Sequence, residues 1–208
     1  MKLKRIGFLL ALIFALALAG CGKDDEAAPK ETTDKSSDKS YTVVDDRGVE
    51  ITFDQVPETV ISLQPSNTEI LFELGVGDKV IGVTEYDKWP EEVKNIEKVS
   101  DTMTVNVEKV IELNPDVVFA YTIGGEEQVQ QLESAGVKVF VIKAADSVDD
   151  VYGDIEQIAQ VMGIEDKGKD LVEKIKGQFA ELKEKTDKIE QKKKVYFEIA
   201  PAPDIWSI

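Results

Sequence analysis

Histidine is absent from all 208 residues. That excludes Ser-His-Asp and Cys-His nucleophile systems, in which an imidazole takes the proton. It equally excludes the imidazole ligand sets that usually bind zinc. Cys21 is the one cysteine, so no disulfide forms within the chain and any exported domain must rest on its apolar core. Neither a G-x-S-x-G turn nor paired cysteines occur. A phosphate-cradling glycine loop is missing too, because Gly75-Val76-Gly77 follows a helix pattern rather than a strand and reads as a C-cap and turn. Catalytic residues and metal ligands are therefore both expected to be none, and no cofactor is implied. Basic residues are scarce beside acidic ones, 25 against 41, for a net charge of −16. Such a surface disfavours nucleic acid and anionic membrane surfaces, which need neutralising Lys or Arg.

A long apolar span is also lacking. The run Ile6–Ala19 falls short of the roughly 20 residues that a permanent bilayer-crossing helix needs. It follows Lys2, Lys4 and Arg5 and ends in Leu18-Ala19-Gly20-Cys21, which resembles the lipobox cut by lipoprotein signal peptidase. Residues 1–20 are expected to be a signal peptide, and Cys21 the lipidated first residue of the mature protein. The expected location is the extracytoplasmic face of the cell membrane. Residues 21–40, polar and charged beyond Cys21, cannot bury enough surface to order themselves and read as a tether.

Folded sequence begins near Tyr41. Tyr41–Val44 and Val49–Phe53 flank Asp45-Asp46-Arg47-Gly48 and predict a hairpin. From residue 58, short apolar runs alternate with helical periodicity. Strands are expected at Val60–Leu63, Val80–Val83, Asp116–Tyr121 and Val137–Ile142. Helices are expected to start at a capping box Ser66–Glu69, around Glu91–Asn95, over Val107–Leu113 and over Glu126–Ala135. This alternation predicts an α/β fold with a parallel sheet over 41–146. Residues 147–190 are expected to be helical. Ser147 caps a first helix with apolar positions Val148, Val151, Ile155, Ile158 and Met162. A second carries Leu171, Ile175, Phe179, Leu182 and Ile189 on one stripe. If 165–188 is one helix it is roughly 36 Å long, too long for an ordinary crossover. Strand character resumes at Lys194–Ile199, so 191–208 reads as the start of a second lobe, mostly absent. The pairs Asp45-Asp46 and Asp149-Asp150 read as turn and first-turn residues rather than as acid–base machinery.

In an open parallel sheet the ligand edge is built from loops leaving the carboxyl ends of strands. Those loops hold Gln64-Pro65-Ser66, then Thr84 to Trp89 with Tyr86, then Ser100 to Thr104 with Thr102, then Tyr121 to Gly125, and Ala200 to Trp206. Both tryptophans and two of the five tyrosines fall there, a bias suited to a large planar or greasy ligand.

Four segments carry a resemblance: Val60-Ile-Ser-Leu-Gln-Pro-Ser-Asn-Thr-Glu69, Gly75-Val-Gly-Asp-Lys-Val-Ile-Gly-Val83, Asn106-Val-Glu-Lys-Val110 and Leu113-Asn-Pro-Asp-Val-Val118. In this order they are similar to the substrate-binding proteins of ABC importers for vitamin B12, iron-siderophores and haem. The resemblance runs from about residue 58 to the end. It implies two parallel-sheet lobes joined by one long helix, a small-molecule ligand held between them, and a permease, with its ATPase, that receives the ligand. In the vitamin B12-binding member it places a ligand-contacting aromatic at Tyr86 and another at Tyr121. A further aromatic of that member is replaced here by Thr102. It gives Glu108 the role of pairing with permease arginines. Gln64, Pro65, Ser66, Tyr86, Trp89, Thr102, Tyr121 and Trp206 are the expected ligand contacts. The function expected is noncovalent capture of an iron complex or cobalamin by a lipid-anchored protein. A cell-surface enzyme or an adhesive lipoprotein is the alternative.

Overall fold

The computed structural model describes residues 40–101, 104–121, 126–191, 193–196, 198–200 and 206–207, the last two segments as backbone. Thr102 and residues 1–39, which include Cys21 and nearly all of the tether, lie outside them.

The hairpin forms as expected, with β1 (Tyr41–Val44) antiparallel to β2 (Glu50–Phe53). Then come β3 (Val60–Ser62), α1 (Pro65–Glu73), β4 (Val80–Thr84), β5 (Glu97–Ser100), α2 (Val107–Leu113), β6 (Val117–Tyr121), α3 (Glu126–Ser134) and β7 (Val139–Ile142). Two long helices follow, α4 (Val148–Val161) and α5 (Glu165–Asp187), and a last hairpin pairs β8 (Glu198–Ala200) with β9 (Trp206–Ser207). Five strands make one parallel sheet in the order β5-β4-β3-β6-β7.

Alternate residues of each strand enter opposite cores, as the two-residue period requires. Val60, Val117, Phe119, Phe140 and Ile142 join a core with the first hairpin, α1, α4 and Val172 of α5. Ile61, Val118, Ala120, Val139 and Val141 join the other, with Val110 of α2 and Val129 and Leu132 of α3. Burial on both faces explains why these strands read as continuous apolar runs.

The turn of the first hairpin covers the exposed edge of β7. Asp46 N–H donates to Val141 O (3.1 Å), and Val141 N–H to Asp45 Oδ2 (3.3 Å). Asp45 is 3% exposed and also accepts from Arg47 Nε (2.7 Å) and from the N–H groups of Arg47 and Val49. The pair Asp45-Asp46 thus closes a sheet edge that would otherwise present unpaired backbone. That is more than the local turn expected of it.

Helix expectations hold in extent and fail in detail. Gly75 and Gly136 take φ of +76° and +88° just beyond α1 and α3, the left-handed backbone that glycine adopts without penalty. The capping box at Ser66–Glu69 is not formed. Pro65 already occupies the first turn, Gln64 is the N-cap without a side-chain bond, and Thr68 Oγ1 turns inward to Ser62 Oγ (2.8 Å). The real capping box is Ser147 with Asp150. In α4 the buried stripe is Tyr152, Ile155, Ile158 and Ala159, whereas Val148 and Val151 are 46% and 37% exposed. In α5 the stripe is half-buried at Leu171 and Ile175 and open from Phe179 onward, beyond the end of α4. Strand character over Lys194–Ile199 narrows to 198–200. As one unbroken helix of 23 residues, α5 is roughly 34 Å long.

Candidate functional site

Sheet order decides where a ligand edge lies. From the central β3 the chain winds outward through β4 and β5, then returns to β6 on the other side and continues to β7. The loops after β3 and β6 therefore diverge and leave a crevice between them, the usual ligand position in such sheets. The two exits stand side by side, since Leu63 N–H donates to Phe119 O (2.9 Å).

At the β3 exit, Ser62 Oγ donates to Gln64 O (3.0 Å) and Thr68 N–H donates to the same oxygen (3.1 Å). These bonds pin the first turn of α1 against the sheet, with Asn67 and Thr68 buried. Gln64 and Pro65 are half-buried, and Ser66 is exposed.

At the β4 exit, Asp87 Oδ2 accepts from Thr84 N–H (2.8 Å) and Thr84 Oγ1 (2.6 Å), while Thr84 Oγ1 accepts from Tyr86 N–H (3.1 Å). Glu85 N–H donates to Ser100 O (2.8 Å), tying this loop to the end of β5. Thr84 and Asp87 are buried at 0% and 3% exposure, whereas Tyr86 and Trp89 stand out at 60% and 65%. A rigid base thus holds two aromatics in solvent, which a residue folding back on the core would not do. Thr84 and Asp87 escaped the sequence reading because a Thr-x-x-Asp spacing in a loop carries little signal until the loop closes on itself.

Tyr121 ends β6 and is half-buried, lining a cavity of about 210 Å³ with Arg47, Glu126, Val129, Gln130 and Val141. The exits of β4 and β6 flank that of β3, so Tyr86 and Tyr121 leave strands two spacings apart, roughly 10 Å. Gln64, Pro65, Ser66, Tyr86, Trp89 and Tyr121 are therefore brought to one sheet edge. The backbone of Trp206 lies in β9 rather than in an open loop. Thr102 lies outside the described residues.

Glu108 is exposed in the first turn of α2. Asn106 caps that helix, its side chain accepting from Lys109 N–H (3.0 Å), and Lys109 Nζ pairs with Glu97 (3.1 Å). Val110 is the buried side of α2. Ile111, the next residue, is 42% exposed because the short helix meets the sheet along one line only. Among the described residues no group of three or more His, Cys, Asp or Glu is placed to hold a metal ion. The arrangement suits noncovalent contact with a ligand face.

The profile of the family described as "Periplasmic binding protein" matches residues 60–205. The chain belongs to that family, and its fold is the α/β architecture of bilobal periplasmic binding proteins. It is 40% identical over 210 residues to YvrC of Bacillus subtilis strain 168, an ABC transporter substrate-binding lipoprotein, covering 98% of this chain and 67% of that one. It is 31% identical over 149 residues to the vitamin B12-binding protein of Vibrio campbellii, covering 71% and 54%. The crystal structure of a possible iron-binding, periplasmic solute-binding protein from Staphylococcus epidermidis superposes with a TM-score of 0.64 at 33% identity, covering 74% and 60%. The chain thus spans between about half and two thirds of these relatives.

Proposed function

We propose that this protein is the lipid-anchored solute-binding component of an ABC importer. It captures an iron complex, a siderophore or haem, or a cobalamin, and delivers it to a membrane permease. The observation that carries this reading is the raised pair Tyr86 and Trp89 on a rigid loop, beside Gln64, Pro65, Ser66 and Tyr121 at a topological switch point. Aromatic faces displayed there suit a broad, partly apolar ligand bound without chemistry. Thr102 and Trp206 complete the proposed contact set, with Trp206 contributed from the final hairpin. The names of the relatives, which include an ABC transporter substrate-binding lipoprotein, a vitamin B12 binder and a possible iron binder, support the same reading over a cell-surface enzyme or an adhesive protein. Glu108 is proposed to meet a permease arginine, and Cys21 to carry the lipid that holds the protein at the extracytoplasmic face of the membrane.

Fluorescence-quenching titration of the full-length protein with cobalamin, haem, a ferric hydroxamate and a ferric catecholate tests it. Saturable quenching by at least one is expected. Turnover of a ligand, or no quenching by any, counts against it.

A further inference from the structure

The same edge carries a charge pattern that selects among these ligands. The chain has two arginines, Arg5 and Arg47. Arg47 lines the cavity beside Tyr121, but it is already committed. Its Nε pairs with Asp45 (2.7 Å), and its terminal nitrogen with Glu133 (2.9 Å) and Val139 O (3.3 Å). The loops leaving the five parallel strands expose three carboxylates, on Glu85, Asp101 and Asp146, and Glu126 adds a fourth beside Tyr121, against two ammonium groups, on Lys88 and Lys143. Lys88 Nζ is moreover held by Glu85 O (2.8 Å). The N-terminus of α1 reaches this edge with a partial positive charge of about half a unit, too little to offset the carboxylate excess. We infer that this lobe's aromatic edge, ringed by carboxylates and without an uncommitted arginine, selects a metal chelate of zero or positive net charge and discriminates against polyanionic chelates.

This rests on the solute-binding reading above and narrows it. A corrinoid or a ferric trihydroxamate carries no net negative charge. A ferric tris-catecholate is a trianion, and haem presents two propionates, so both bring like charge to an acidic rim. Such repulsion costs affinity and weakens with salt, because the loops are open to solvent.

The test is competition on the full-length protein with cyanocobalamin, monocationic ferric desferrioxamine B, trianionic ferric enterobactin and hemin. At low salt the tightest of the uncharged or cationic probes should bind at least about tenfold more tightly than either anion. That gap should shrink as the ionic strength approaches about 1 M, where the Debye length is roughly 3 Å. Glu85→Lys should narrow it at low salt by improving the anionic probes. Tightest binding to the trianion or to hemin, weakening as salt rises, overturns the inference while leaving solute binding intact. Binding of none of the four overturns the solute-binding reading itself.

Discussion

Asp87 and Thr84 form a closed polar clamp at the base of the loop that carries Tyr86. One carboxylate oxygen accepts both the N–H and the hydroxyl of Thr84, at 2.8 and 2.6 Å, with both residues buried. Removing the carboxylate leaves a buried backbone donor without a partner, a change that costs about 1–3 kcal/mol. Asp87→Ala should lower stability by that amount and weaken ligand binding with it. Equilibrium denaturation checks the first expectation and titration the second. Unchanged stability would show that the clamp is not holding the loop.

Gly168 sets how closely α4 and α5 approach. A Cβ built there lies 2.5 Å from Ala159 Cβ, and neither atom can rotate away. Alanine in place of glycine usually gains about 1 kcal/mol in a helix, whereas overpacking costs about 1–3 kcal/mol. The clash should win, so Gly168→Ala is expected to lower the denaturation midpoint, and Ala159→Gly in the same chain should recover part of the loss. A midpoint raised by Gly168→Ala alone would mean that the helices separate freely.

Asp154 on α4 faces Asp46 of the first hairpin and Asp150 one turn away, in a cavity that also meets Lys143, Asp146, Asp149 and Gln157. Burial, and then the charges of Asp46 and Asp150, push its carboxyl up to about 6. A carboxyl raised above its unfolded value of about 3.9 favours the folded state while protonated, and that contribution is lost as pH rises through about 6. Asp154→Asn should therefore raise the thermal midpoint at pH 7.5 and change it little near pH 4. Thermal scans across that range decide the matter, and a benefit confined to low pH would contradict this assignment.

Glu108 separates two roles under one substitution. As a first-turn carboxylate it interacts with the dipole of α2 for about 0.3–1 kcal/mol. As a docking group it meets a basic residue of a permease. Glu108→Gln is expected to leave ligand affinity unchanged while reducing uptake and permease association. Uptake equal to the parent's by a correctly localised variant would remove the docking role.

Cys21→Ala should release the protein from the membrane fraction, because a diacylated cysteine supplies the two chains that stable attachment requires. Recovery of that variant only in detergent would argue for another anchor.

The parallel sheet was legible because its strands are apolar on both faces and punctuated by Gly75, Asn114, Gly136 and Pro115, each a local conformational requirement. The edge that gathers Gln64, Tyr86 and Tyr121 followed from strand–helix alternation alone. What escaped was tertiary. The closure of β7 by Asp45 and Asp46 joins residues 96 and 97 positions apart, and no local pattern announces it. The exposure of Val148, Ile111 and Phe179 depends on how each helix packs against its neighbours, which periodicity within one helix does not report. Trp206 was expected in the loop that follows the strand ending at Ile199, yet its backbone pairs with Ala200 as β9.

The central claim is that the aromatic residues at the carboxyl edge of the sheet bind the ligand. Its most direct test is the dissociation constant of the tightest ligand for the parent, Tyr86→Ala and Tyr121→Ala proteins, each first shown to be folded. Tyr86 is 60% exposed, so its removal should not disturb the core. Losing a buried aromatic contact in the complex should weaken binding by about 1–3 kcal/mol, or roughly five- to 150-fold. Parent-like affinity in both folded variants would contradict the account.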